Sequence, residues 1–278
     1  MERCELHPPV ISDFDGVITD LEGTLKNYIE AYTESLAQET GIPAPKLQDE
    51  INSILEKISS NPAIYGWEVD GIIVAPASAD PLVAHTVTVQ MALSKFNIEV
   101  PLKKRTDFYF EHYQKIETHF KEDAASYIRN LRENRKFVFV TNSETDAIAR
   151  HLTALLGENT EGIEIIGQAR KYIVADEWKF TPLVPQISQP EGFPKPVYLW
   201  RADYQNALQK GLSGEEGIVV GDIYELDLAL PEALGLKTVL LTSNLTPPWE
   251  KEYYSKNGAS KFQSSSLAEI TNWILNSD

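Results

Sequence analysis

Pro9-Val10-Ile11-Ser12 runs straight into Asp13-Phe14-Asp15-Gly16, and the reading of these eight residues decides the fold of the chain. An apolar run that stops at polar and turn residues indicates a buried strand with a functional edge. Asp13 and Asp15 stand two apart, so on a continuing strand their side chains share one face. If the chain bends at Gly16, both reach one point just past the strand end. The pattern returns downstream. Phe137 to Val140 ends at Thr141-Asn142-Ser143, Gly217 to Val220 ends at Gly221-Asp222, and Lys237 to Leu241 ends at Thr242. Ile163 to Ile166 reads as a further short strand, and a helix is expected near 144–156, stopped by Gly157. Strands alternating with helices predict an α/β protein with a doubly wound, Rossmann-like parallel sheet. Ligands bind such sheets beyond the carboxyl ends of the strands, where Asp13, Asp15, Thr141 and Asp222 fall.

Between the first strand and the return to this texture lies a different kind of sequence. Ile29, Tyr32 and Leu36 recur at helical spacing, as do Ile51, Ile54, Leu55 and Ile58 after a start at Pro45. Helical sequence follows around 81–95 and 105–119, with a less regular segment from Asn61 to Pro81 that contains Tyr65, Gly66 and Trp67. The expected organisation is a catalytic core from 1–20 and 121–278, interrupted by an all-helical cap from 21–120. An insertion that leaves directly after the first strand would sit above the candidate site, where it can act as a lid.

Composition narrows the function. The 278 residues carry 41 acidic and 25 basic side chains, a formal charge of −16. Such a surface repels nucleic acid and anionic membranes alike. No apolar run approaches the ~20 residues of a membrane span, and the first nine residues hold no apolar signal region. The single cysteine, Cys4, has no internal disulfide partner and no activating neighbours. These features lead to the expectation of a cytoplasmic enzyme with a small-molecule partner. An acidic protein that binds a phosphate ester needs local positive charge from a metal, a lysine or backbone N–H groups.

Phosphoryl transfer needs a nucleophile, an acid–base partner, charge neutralisation and donors for the phosphoryl oxygens. Asp13 is placed to attack phosphorus. Asp15 can protonate the leaving oxygen and then deprotonate water. Two carboxylates this close call for a cation, and Mg²⁺ suits hard oxygen ligands and phosphate. Asp222 supplies a further metal carboxylate, and Asp227 can hold a metal-bound water.

Four segments, in order, resemble the motifs of the haloacid dehalogenase (HAD) superfamily. They are Asp13-Phe14-Asp15-Gly16-Val17, the strand ending at Thr141-Asn142, Pro194-Lys195-Pro196, and Gly221-Asp222-Ile223-Tyr224-Glu225-Leu226-Asp227. The position of the insertion resembles the subfamily with a helical cap after the first strand. The resemblance implies Asp13 as nucleophile and metal ligand, with Asp15 as acid–base and, through its carbonyl, a further ligand. It implies Thr141, Asn142, Gly16 and Lys195 as the phosphate-binding set, and Asp222 with Asp227 at Mg²⁺. Lys171 and Lys179 compete for the lysine role; Lys195 is preferred because it adjoins a proline expected to start a helix. Dehalogenase members generally lack the second aspartate, so Asp15 points to phosphate esters. The expected function is a Mg²⁺-dependent phosphatase acting on a small phosphate monoester through an aspartyl phosphate. A phosphomutase and a non-catalytic scaffold on the same fold are the alternatives.

Overall fold

The computed structural model describes residues 7–113, 118–157, 160, 162–175, 183–214, 216–256 and 258–277; Cys4 and Lys179 lie outside them. The chain folds as two compact units, one of Met1–Thr19 with Phe120–Asp278 and one of Asp20–His119.

In the first unit, β1 (Val10–Ser12) is the short strand expected from the opening residues. The inserted unit follows with α1 (Leu21–Thr40), α2 (Ala44–Ser59), β2 (Gly66–Val69), β3 (Ile72–Pro76), α3 (Pro81–Lys95) and α4 (Leu102–Tyr113). The chain then continues through α5 (Ala124–Asn134), β4 (Phe137–Val140), α6 (Thr145–Leu156), β5 (Glu164–Ile166), β6 (Ile187–Ser188) and β7 (Val197–Tyr198). It ends with α7 (Ala202–Leu212), β8 (Ile218–Gly221), α8 (Ala229–Ala233), β9 (Lys237–Leu241), α9 (Pro248–Ser255), β10 (Lys261–Ser264) and α10 (Leu267–Leu275). Six strands form one sheet in the order β10-β9-β8-β1-β4-β5, and every pairing in it is parallel.

Alternation along the strands feeds two cores, one on each face of the sheet. Val10, Phe137, Phe139, Ile218, Val220 and Val239 pack against Tyr127, Ile148 and Ile270 from α5, α6 and α10. Ile11, Val138, Val140, Val219 and Leu240 face the other way, onto Leu208, Leu230 and Tyr254 from α7, α8 and α9. Burial on both faces explains why these strands read as continuous apolar runs. It also leaves their carboxyl ends as the place where polar side chains gather. β1 sits mid-sheet, paired with β4 on one side and β8 on the other. Asp13 N–H donates to Val220 O at 2.9 Å, which ties the residue after β1 to the end of β8.

The inserted unit is mostly helical, with its own core of Leu25, Leu36, Leu47, Ile51, Ile58, Val89 and Leu93 among others. Asp20 caps α1, which ends at Gly41 in the left-handed region, and Asp80 caps α3 through the N–H groups of Leu82 and Val83. It departs from the all-helical expectation where the sequence reads as irregular. There β2 and β3 form an antiparallel hairpin across Asp70-Gly71, both with positive φ (51° and 81°). Asp-Gly between strands is a strong signal for a two-residue turn whose twist matches the strands, and Tyr65-Gly66-Trp67 leads into it.

Candidate active site

Side chains for chemistry gather where β1, β4, β5 and β8 end. Lys171 lies on the loop that leaves β5, and its Nζ donates to Asp13 Oδ1 at 2.8 Å and to Asp227 Oδ1 at 2.8 Å. The lysine side chain is 2% exposed, that of Asp227 3% and that of Asp13 12%. Burial alone would lower the Lys171 ammonium, but the Asp13 and Asp227 carboxylates overcome it and hold the group above the usual lysine range. Burial pushes the Asp13 carboxyl up to about 7, with Asp227 and Asp15 adding to the rise and Lys171 opposing it.

The loop that delivers Lys171 is built for that purpose. Gln168 and Arg170 both take positive φ (53° and 46°), which is uncommon for residues with a Cβ. Asn142 Oδ1 accepts the backbone N–H of Lys171 at 2.8 Å, Ala169 N–H donates to Thr141 O, and Arg201 donates from its guanidinium to Lys171 O. Asn142 thus fixes the lysine's backbone through its own side-chain oxygen.

Lys195 is not at this site. The residues after it form the short strand β7 rather than a helix, and among the described residues its Nζ donates only to Pro196 O, at 3.3 Å. Burial lowers it, and Glu225, Arg201 and Glu250 are the charges it feels. The lysine beside Asp13 is Lys171, where Lys195 was expected. The sequence signal that could have found it is positional, since Lys171 follows the end of a strand of the main sheet and Lys195 does not. Lys179, the third candidate, lies outside the described residues.

Asp222 and Asp227 are set by the turn after β8. A π-helical turn, Tyr224–Leu228, leads from β8 into α8. It returns the Asp227 carboxylate toward the strand end, where Oδ2 accepts from the N–H groups of Asp222 (3.3 Å) and Ile223 (3.1 Å). Tyr204 O–H donates to Asp227 O at 2.5 Å. Gly221 allows this approach, since a Cβ there would stand 2.3 Å from Asp227 Cβ. Gly16 has φ +81°, and a Cβ on it would lie 1.9 Å from Asp222 Oδ2. Its N–H donates to Thr19 Oγ1 at 2.9 Å. Gly16 therefore serves the site by leaving space for Asp222, and its N–H is engaged away from the expected phosphate role.

Asp15 is fixed by Ser143, a residue whose side chain the sequence did not single out. Ser143 Oγ donates to Asp15 Oδ2 at 2.6 Å. Burial raises the Asp15 carboxyl, while the Ser143 bond and the His151 ring oppose the rise. Thr141 is buried, and its Oγ1 accepts the N–H of Ser143 at 3.1 Å.

One carboxylate oxygen from each of Asp13, Asp222 and Asp227 lies within 4.8 Å of the others, a spacing that can hold a cation. The donor set fits Mg²⁺ on chemical grounds. All donors are hard oxygens, and Lys171 pairs with two of the three carboxylates, those of Asp13 and Asp227. Asp227 already has a donor on each oxygen, so Asp13 and Asp222 are the residues that would hold the ion directly.

No protein-family model matches the sequence, and no curated protein matches it. Solved structures do. YfnB of Bacillus subtilis, described as a HAD-hydrolase and solved bound to magnesium, superposes with a TM-score of 0.55. The match covers 98% of this chain and 100% of that one at 14% identity. This chain has the fold of the HAD-like hydrolases. A HAD-like family hydrolase from Xanthomonas campestris matches with a TM-score of 0.50 and 10% identity, over 96% of this chain and 89% of that one. The HAD-like fold accounts for the sheet order and for the strand ends at which the acidic groups meet. Among the described residues, no helix is long and apolar enough to cross a membrane.

Proposed function

We propose that this chain is a Mg²⁺-dependent phosphohydrolase that acts on a small-molecule phosphate monoester through an aspartyl phosphate on Asp13. The observation that carries the reading is the Asp13 carboxylate, set at a strand end between the Lys171 ammonium and the Asp222 and Asp227 carboxylates. An acid placed this way is a nucleophile beside its own charge neutralisation. YfnB, with the same fold, is bound to magnesium.

In the first step an oxygen of Asp13 attacks phosphorus and the ester P–O bond breaks. Asp15, raised by burial, delivers its proton to the leaving alkoxide. In the second step Asp15 takes a proton from water as the water attacks phosphorus, the Asp13 acyl-phosphate bond breaks, and inorganic phosphate leaves. Ser143 orients Asp15 for both transfers. Lys171 balances charge beside Asp13, and the Thr141 hydroxyl is a donor for a phosphoryl oxygen. Mg²⁺ held by Asp13 and Asp222 would supply the remaining positive charge for the phosphoryl group and keep Asp13 ionised.

The test is hydrolysis of p-nitrophenyl phosphate by the purified protein with Mg²⁺, with EDTA, and by Asp13→Asn. Phosphate release that needs Mg²⁺ and disappears in the variant is the expected result. Release that persists in Asp13→Asn removes the nucleophile assignment.

A further inference from the structure

A second group of buried charged residues lies within the first unit. It comprises Lys195, Arg201, Glu225 and Glu250, exposed by 6%, 0%, 0% and 0% respectively. Such side chains are almost never fully buried unless they are paired, so this group has a job. Glu250 belongs to α9, far in sequence from every motif of the candidate site. Glu225 is inside the π-helical turn, between Asp222 and Asp227.

One contact describes what Glu250 does: its Oε2 accepts the N–H of Tyr224, the first residue of the π-helical turn, at 3.1 Å. No donor among the described residues reaches Glu250 Oε1 or either oxygen of Glu225. Burial first, and then Glu225, raise Glu250 well above the usual carboxylate range. Lys195 and Arg201 lie near enough to Glu225 to feel its charge.

The π-helical turn needs such support. Its pitch sets the Ala229 N–H on the carbonyl of Tyr224, five residues back, and single π turns occur mostly where a functional side chain must be placed. This turn spaces Asp222 from Asp227. We propose that Glu250 is a positioning residue, which clamps the turn by accepting the Tyr224 N–H and so sets the Asp222–Asp227 geometry that a divalent cation requires. Residues that orient metal ligands commonly cost 10–100-fold in affinity when removed. The inference rests on the proposed function only for the choice of Mg²⁺ as the cation.

The experiment is calorimetric titration of Mg²⁺ into the wild-type protein, Glu250→Gln, Glu250→Leu and Glu250→Asp, each checked for fold by circular dichroism. Gln keeps the acceptor for the Tyr224 N–H, so its Kd should stay within about threefold of wild type. Leu, of similar size, keeps no acceptor, and its Kd should rise about 10- to 100-fold with the fold retained. Asp is one methylene short of that contact and should weaken binding as well, which keeps the test valid should Leu not fold. Unchanged Mg²⁺ affinity in the folded Leu and Asp variants would overturn the proposal, as would equal weakening in Gln and Leu. Absence of Mg²⁺ binding by the wild-type protein would overturn both this proposal and the metal-dependent reading. Mg²⁺ binding without phosphate release would count against the proposed activity alone and leave the Glu250 titrations decisive.

Discussion

Lys171 and Lys195 are both buried in the same unit, and they are held in opposite ways. Lys171 meets two carboxylates at 2.8 Å and is pushed toward its charged form. Lys195 meets a backbone carbonyl at 3.3 Å and is lowered by burial, with Glu225 and Glu250 pulling it back. The difference teaches what holds a lysine beside Asp13. It is not a neighbouring proline but a place at a strand end with carboxylates already arranged around it. A buried cation between two carboxylates is fixed in position and in charge, whereas one without such contacts contributes a diffuse field.

The sharpest way to break the comparison is to remove each ammonium in turn. Lys171→Met should lower kcat of aryl phosphate hydrolysis about 10²- to 10³-fold, the usual loss for one preorganised charge donor. It should also cost about 3–5 kcal/mol in urea denaturation, because Asp13 and Asp227 are left buried without their partner. A Lys171→Met protein with wild-type rate and stability would dissolve the distinction. Gly16→Ala strikes the same cluster from the other side. Its Cβ would meet Asp222 at 1.9 Å on a left-handed backbone, so Mg²⁺ affinity should fall at least about tenfold. Titration calorimetry measures this, and an unchanged Kd would show that Asp222 is not a ligand.

His85 extends the comparison to the inserted unit, where a basic side chain is buried among Tyr28 and Tyr32 rings with no carboxylate among the described residues to hold its proton. Burial lowers it to about 4. Below the unfolded value of about 6.5, the unfolded chain takes up a proton that the folded unit refuses. The contribution to stability is therefore complete above 6.5 and lost as the pH falls toward 4. At pH 5 the loss should be about 2 kcal/mol, read from urea midpoints at pH 7 and 5. Replacing His85 by Phe should flatten that slope, and a slope that survives the replacement would place its origin elsewhere. The smallest effect belongs to Lys195→Met, which should change kcat less than about tenfold because no reacting group touches this lysine. A loss as large as that of Lys171→Met would return Lys195 to the phosphate role.

Much of the fold could be read in advance, for a physical reason. Strands buried on both faces must be apolar throughout, so Val10–Ser12, Phe137–Val140 and Ile218–Gly221 announce themselves, and their polar ends mark where Asp13, Thr141 and Asp222 emerge. The hairpin at Asp70-Gly71 was equally legible from its turn residues, though a helical reading of the surrounding segment hides it. Ser143 and Glu250 were not legible. Each acts through a single hydrogen bond across 128 or 26 residues, and nothing local records such a bond.

The sequence by itself determined the parallel α/β core, the position of the insertion and the acidic strand ends, because burial and strand period are local properties of the residues. Only the tertiary structure decided which lysine stands beside Asp13. Its place depends on how β5 pairs with β4 and how Asn142 catches the Lys171 backbone, and a salt bridge spanning 158 residues is a property of the packed chain.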